Sequence, residues 1–258
     1  MRASRTSSFT VIKGSLIPET YAAFQTWDLS STQSENLNRL RADNRIGARS
    51  ANWLRDVAWV LSRRFDTDGP DRPLVRLARA GCALEVWRPI LLWHMTRDEL
   101  LVRDFVSNWL YGRYVEGHYL IRVSDVVPYV ASLPSRGATS KEGWTDATIS
   151  RVASGLLRLA TDFGLMRGAQ AKEFASYHLP DESLLYILYA LAEHEANATQ
   201  IVNGSDWRLY LMGPDDVERE LLRLHQFRRL HYAVAGSLAQ LSLPCGSLAE
   251  YVEGMVAQ

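Results

Sequence analysis

Apolar side chains return every three to four residues along most of this chain, and that spacing commits it to helices packed on one another. Trp53, Val57, Leu61 and Phe65 recur at intervals of four, with Leu54 and Ala58 widening the stripe. Ile149, Val152, Leu156, Ala160 and Phe163 form a second stripe in a segment that opens at Thr145. Punctuation agrees. Pro18-Glu19 makes a favourable first turn for a helix running to about Leu29. Thr32 and Glu35, Thr96 and Glu99, and Ser247 and Glu250 each have capping-box spacing, so helices are predicted to start there, the middle one running to about Tyr111. Residues 72–80, 83–93 and 122–133 fit further helices, and 66–71 reads as a loop.

After position 144 one order of elements occurs twice: helix, short apolar ribbon, proline, helix. The first ribbon joins Leu165-Met166 to 174–179 through a loop at 167–173, ahead of Pro180. The second joins 230–235 to 238–243 through Gly236-Ser237, ahead of Pro244. Helix followed by ribbon is the tail of a winged helix-turn-helix. The expected fold is therefore mainly α, with two helical subdomains and winged helix-turn-helix-like units carrying short β-hairpins. Residues 134–143 are small, polar and without apolar period, which marks a linker. It would divide an N-terminal helical domain, 1–133, from a C-terminal winged-helix-like domain, 144–258.

The longest unbroken apolar run, 184–192, has nine residues, against the roughly 20 a membrane span requires. The polar opening lacks the apolar core of a signal peptide. Cys82 and Cys245 form no Cys-x-x-Cys pair, so reduced thiols and a cytoplasmic location are expected, with no membrane partner.

No metal, cofactor or catalytic motif emerges. Phosphate-loop and dinucleotide glycine patterns and a Gly-x-Ser-x-Gly elbow are all missing. Glu193-His194-Glu195 lacks the i, i+4 spacing that lets helical ligands converge, and reads as a solvated helix end. His225 and His231 flank a helix-to-strand turn. His94, on an apolar helix end, reads as a satisfied core histidine. Asp98-Glu99 and Asp215-Asp216 suit helix N-termini. A non-enzymatic protein is the expectation.

Charge placement says more. Lys+Arg and Asp+Glu both number 29, yet residues 1–64 carry ten basic and five acidic side chains, and 181–220 carry nine acidic and two basic. Such a split implies a polar molecule with one basic face. A helix over about 45–64 would align Arg45, Arg49, Asn52, Trp59 and Arg63 opposite its apolar stripe, interrupted by Asp56, with Arg55 and Arg64 beside them. Guanidinium groups with a neighbouring amide and indole suit phosphate tracking; a solvated, salt-bridged face is the alternative. Thr148, Arg151, Ser154 and Arg158 form a second polar strip. Arg151 and Arg158 stand two turns, about 10 Å, apart, with Lys172 as a wing contact. The 214–226 helix, with Asp215, Asp216, Glu218 and Glu220, is a poor DNA reader; this second winged unit would touch DNA through Arg228 and Arg229 at the ribbon base, or else pack on another protein or on the first unit.

Short segments add a resemblance through their order. Ser8-Phe9-Thr10, Gly14-Ser-Leu16 and Pro18-Glu19-Thr20 are followed by Arg45-Ile-Gly-Ala-Arg49, Trp53-Leu54-Arg55-Asp56, Leu61-Ser-Arg-Arg64 and Arg103-Asp-Phe-Val106. With the closing ribbon and Ser247-Leu-Ala-Glu250, this series resembles the BrxA family of BREX bacteriophage-defence systems over nearly the whole chain. The resemblance implies a mostly helical cytosolic protein with winged-helix-like parts. It also implies duplex-DNA binding and a non-enzymatic role beside the methyltransferase, ATPase and phosphatase-like components of the defence locus. Rival readings are an assembly adaptor recruiting a basic partner through the acidic 181–220 segment and the apolar 184–192 helix, and an RNA-binding or transcription-regulating helical protein.

Overall fold

The computed structural model describes residues 8–137, 143–236 and 238–257. The N-terminal elements are helices: α1 (Ser8–Lys13), α2 (Ile17–Gln25), α3 (Gln33–Asp43), α4 (Ala51–Arg64), α5 (Arg72–Arg79) and α6 (Leu84–Asp98). From Pro89 to Thr96 every residue of α6 is buried, as an apolar helix without a polar face requires. Trp87 anchors it, donating from Nε1 to the Leu74 carbonyl at 3.0 Å and meeting the Tyr21 ring edge-on at 4.9 Å.

A helical run continues as α7 (Leu100–Asp104), a π-helical turn (Phe105–Leu110) and α8 (Tyr111–Val115). Next come β1 (Leu120–Ile121), α9 (Val123–Ala131), α10 (Asp146–Asp162), β2 (Met166–Arg167) and β3 (Lys172–Phe174). The three strands form one antiparallel sheet in the order β1-β3-β2, pairing Leu120 with Glu173 and Arg167 with Glu173. The chain closes with α11 (Asp181–Ala192), α12 (Ala198–Val202), a 3-10 turn (Ser205–Tyr210), α13 (Pro214–Gln226), the hairpin β4 (His231–Ala235) and β5 (Leu238–Ser242), and α14 (Leu248–Val256). The fold is mainly helical with small antiparallel hairpins, as expected. One continuous apolar core runs from Val11 to Val252.

Several local expectations hold. Thr32 and Glu35 form a reciprocal capping box, and Thr145 caps α10 by accepting the Thr148 amide. Ser247 accepts the Glu250 amide, but the Glu250 carboxylate reaches Gly246 instead of completing the box. The second ribbon has the predicted strands, with Ala235 opposite Leu238; Ser237, half of its predicted turn, lies outside the described residues.

Others are overturned. The helix begun near Pro18 stops at Gln25, not Leu29. The 45–64 helix begins only at Ala51, because Asn44 ends α3 with φ 45° and bonds both backbone groups of Ala48, Gly47 turns at φ 64°, and Ser50 supplies the cap. Thr96 opens no helix. It lies inside α6, donating to the Trp93 carbonyl, while Glu99 is drawn into the core. The first ribbon is shorter than expected, its strands ending at Phe174 around a four-residue loop, 168–171.

The 134–143 segment runs between α9 and α10. α9 packs on α10 across it, and β1 pairs with β3 from beyond it. Its central residues 138–142, Lys141 among them, lie outside the described residues. Among the described residues no helix is long and apolar enough to cross a membrane.

Candidate nucleic-acid interface

α10 presents a polar strip because its other faces are filled. Val152, Leu156, Leu159 and Ala160 are buried, and Gly155 lies against the Val11 carbonyl of α1. Ser150, Arg151, Ser154 and Arg158 remain exposed along about two turns. Arg151 has no ion pair among the described residues. Arg158 meets Asp162 only at 3.9 Å, and 72% of its side chain is exposed. Asp162 is engaged more closely by the Ser15 hydroxyl, at 2.7 Å.

The chain beyond α10 is positioned by the sheet. Gly164, at φ 81°, ends the helix with its amide on Thr161 and the Leu165 amide on Ala160, a Schellman arrangement. Gly168 turns the β2–β3 loop at φ 106°, where a Cβ would stand 2.5 Å from the Ala171 carbonyl oxygen. Lys172 spans this loop, donating from Nζ to the Gly168 carbonyl at 2.6 Å. Arg167 leaves the same loop, paired with Glu173 at 3.2 Å and largely exposed.

The cations around α4 are distributed differently. Arg55 is exposed, its guanidinium on the Asn52 amide oxygen at 2.5 Å. Arg63 is half-buried, 5.9 Å above the exposed Trp59 ring. Arg45 and Arg49 lie in the preceding loop rather than on the helix, and Arg45 pairs with Asp43 at 2.9 Å. Arg64 is removed from any surface by its burial. Its guanidinium donates to the Ser15, Thr10 and Gly14 carbonyls at 2.8–2.9 Å and to Glu99 at 3.2 Å. Desolvation pulls its pKa below the ordinary arginine value, against the attraction of Glu99. Arg64 therefore holds the α1–α2 turn against α4.

α1 links α4 with α10. Phe9 meets Trp59 edge-on at 4.9 Å, Lys13 pairs with Asp56 at 2.5 Å, and Val11 backs Gly155. Arg158 and Trp53 thereby line one cleft together with Arg88, while Arg45 and Arg49 stay apart from it. Ser150, Arg167 and Arg88 are absent from the sequence-derived set. Ser150 was findable, one turn before Ser154; nothing local marks the other two.

The remaining candidates lie elsewhere in the fold. On α13, Arg223 grips Asp181 and Glu220, and Arg219 pairs with Asp216. The bidentate Arg223 contact holds the Asp181 carboxyl below its usual range. Arg229 lies 3.8 Å from Glu182. His225 and His231 rings approach to 5.0 Å, yet among the described residues no three His, Cys, Asp or Glu side chains are grouped to hold a metal. His94 is a core histidine, between Asp71 and Tyr186. The apolar side chains 184–190 of α11 are buried.

The BrxA family profile matches residues 7–189, from α1 into α11, leaving the closing ribbon and α14 beyond the matched stretch. Comparison with curated proteins and with solved structures found no significant match. With most of its length covered by that one profile, the chain belongs to the BrxA family, a component of BREX phage-defence systems.

Proposed function

We propose that this protein binds duplex DNA, without a catalytic step of its own, as a cytoplasmic accessory component of a BREX system. The element order β1-α9-α10-β2-β3, with its β1-β3-β2 sheet, supports reading this segment as a winged helix-turn-helix. In that reading α10 enters the major groove and the 168–171 loop is the wing. One observation carries the proposal: Arg151 and Arg158 project from the solvent-facing strip of α10 without a close carboxylate partner among the described residues. Arg167 and Lys172 at the wing add backbone contacts. Arg55 and Arg63, beside α1, extend the basic surface.

Binding of this kind rests on phosphate contacts and is weakly sequence-specific. Fluorescence anisotropy with a labelled duplex tests it. Arg151→Gln with Arg158→Gln weakens binding about tenfold or more, whereas Arg219→Gln on α13 leaves it unchanged. A hairpin RNA bound more tightly than the duplex at the same salt concentration would replace DNA with RNA as the ligand.

A further inference from the structure

A second basic feature lies beside α10 and stands whether or not that helix reads a duplex. The cleft where α1, α2, α4, α6 and α10 meet has a volume of about 400 Å³, within the roughly 300–1,000 Å³ of small-ligand sites. Lys13, Arg88 and Arg158 line it together with Trp53, Glu19 and Asp162, and the Lys13 ammonium lies 5.7 Å from the centroid of the Trp53 ring.

The three cations are not equivalent. Lys13 is held by Asp56 at 2.5 Å. Arg158 is held loosely, 3.9 Å from a carboxylate that already accepts from Ser15. Arg88 has neither a hydrogen bond nor an ion pair among the described residues, and its Nε is buried without a partner. Leaving that one buried donor unmatched is costly, and the guanidinium cannot shed its charge at neutral pH. The fold keeps it in place nonetheless. Gly164 leaves it room, since a Cβ there would lie 3.3 Å from the Arg88 Nη2.

We propose that this cleft binds a nucleotide-sized phosphomonoester, its phosphate on Arg88 and Arg158 and its base against Trp53. A planar fork suits phosphate oxygens, and an indole face suits any base. Glu19 and Asp162 accept from amino or hydroxyl groups of the ligand and repel a longer polyphosphate chain. A nucleoside monophosphate therefore fits better than a triphosphate. The phosphomonoester comes either from a free nucleotide or from the 5′ end of a DNA strand.

Isothermal titration of the full chain with deoxyadenosine monophosphate, deoxyadenosine triphosphate, deoxyadenosine and inorganic phosphate tests the assignment. The monophosphate binds best, and Arg88→Gln weakens it about tenfold or more while Arg88→Lys restores part of the loss. Trp53→Leu weakens the monophosphate more than inorganic phosphate. Arg158→Gln, at an exposed position, gives an independent loss should the Arg88 variants fold poorly. A 5′-phosphorylated tetranucleotide bound more tightly than the free nucleotide identifies the strand end as the source; the reverse order identifies the free nucleotide. No heat with either the monophosphate or the 5′-phosphorylated tetranucleotide, or monophosphate affinity unchanged in both Arg88→Gln and Arg158→Gln, overturns the proposal.

Discussion

The Arg64 guanidinium and the Glu99 carboxylate meet 3.2 Å apart in the core, with side chains only 1% and 5% exposed. Glu99 also accepts the Thr10 hydroxyl at 2.9 Å, so α1, α4 and the α6–α7 junction share one buried polar network. Removing one partner from a buried pair typically costs about 3–5 kcal/mol, because the other charge is left stranded. Arg64→Ala should therefore lower unfolding free energy by about that amount in a urea titration. Replacing both partners, as Arg64→Met with Glu99→Met, should recover part of the loss. An Arg64→Ala protein as stable as the wild type would show that the pair is not closed in solution.

Arg64 also shows where sequence reasoning stops. Arg63 and Arg64 are neighbours at the end of one amphipathic helix, and nothing local distinguishes the one that faces solvent. The difference is made by three carbonyls about 50 residues away, brought in by the α1–α2 turn. Glu99 was lost to the same network, which is why a sound capping pattern at Thr96 forms no cap. By contrast, the α10 stripe, the Thr32 and Thr145 caps and the β4–β5 hairpin depend on neighbours a few residues away, and all were legible. β1 has two residues and no period to detect. Polar composition marks 134–143 as a linker, and the packing of α9 on α10 across it is a contact no local pattern shows.

His94 gives the fold a pH dependence with a defined sign. Its ring lies between Asp71, 2.5 Å from Nδ1, and the Tyr186 hydroxyl, 2.7 Å from Nε2, with Arg97 3.5 Å from the same Asp71 oxygen. Burial pushes its pKa below the ordinary imidazole value, outweighing the opposing pull of Asp71. The folded ring stays neutral at a pH where the unfolded one, with a pKa near ~6.5, takes a proton. Stability is thus fully present above that value and falls as pH drops below it, by at most about 1.4 kcal/mol per pH unit from this group. Urea midpoints between pH 7.5 and 5 should fall in the wild type and fall less steeply in His94→Gln. Parallel pH profiles would contradict this.

Two helical glycines should respond oppositely to alanine. A Cβ on Gly155 would lie 2.8 Å from the Val11 carbonyl oxygen and 3.1 Å from its Cγ1. Helix propensity favours alanine by about 1 kcal/mol, but overpacking costs about 1–3 kcal/mol, and a backbone oxygen cannot swing aside. Gly155→Ala should therefore destabilise the protein. Gly254 in α14 has open space where its Cβ would go, so Gly254→Ala should stabilise it by up to about 1 kcal/mol. Thermal melts of the two variants check both signs.

Cys82 should be a slow thiol. Burial, followed by the nearby Glu182 and Glu85 carboxylates, pushes its pKa up to about 11, so little thiolate exists at neutral pH. Labelling by an aromatic disulfide reagent at pH 8 should be slow at Cys82 in the folded protein and fast in urea. Equal rates would place the thiol in open solvent.

The salt dependence of duplex binding tests the central claim most directly. Four cations surround the α10 strip and its loop: Arg151, Arg158, Arg167 and Lys172. If each neutralises one phosphate, log K should fall against log salt with a slope of about −3.6, and Arg151→Gln with Arg158→Gln should bring it to about −1.8. A flat response in the wild type, or a slope that the double substitution leaves unchanged, would show that α10 does not hold the duplex.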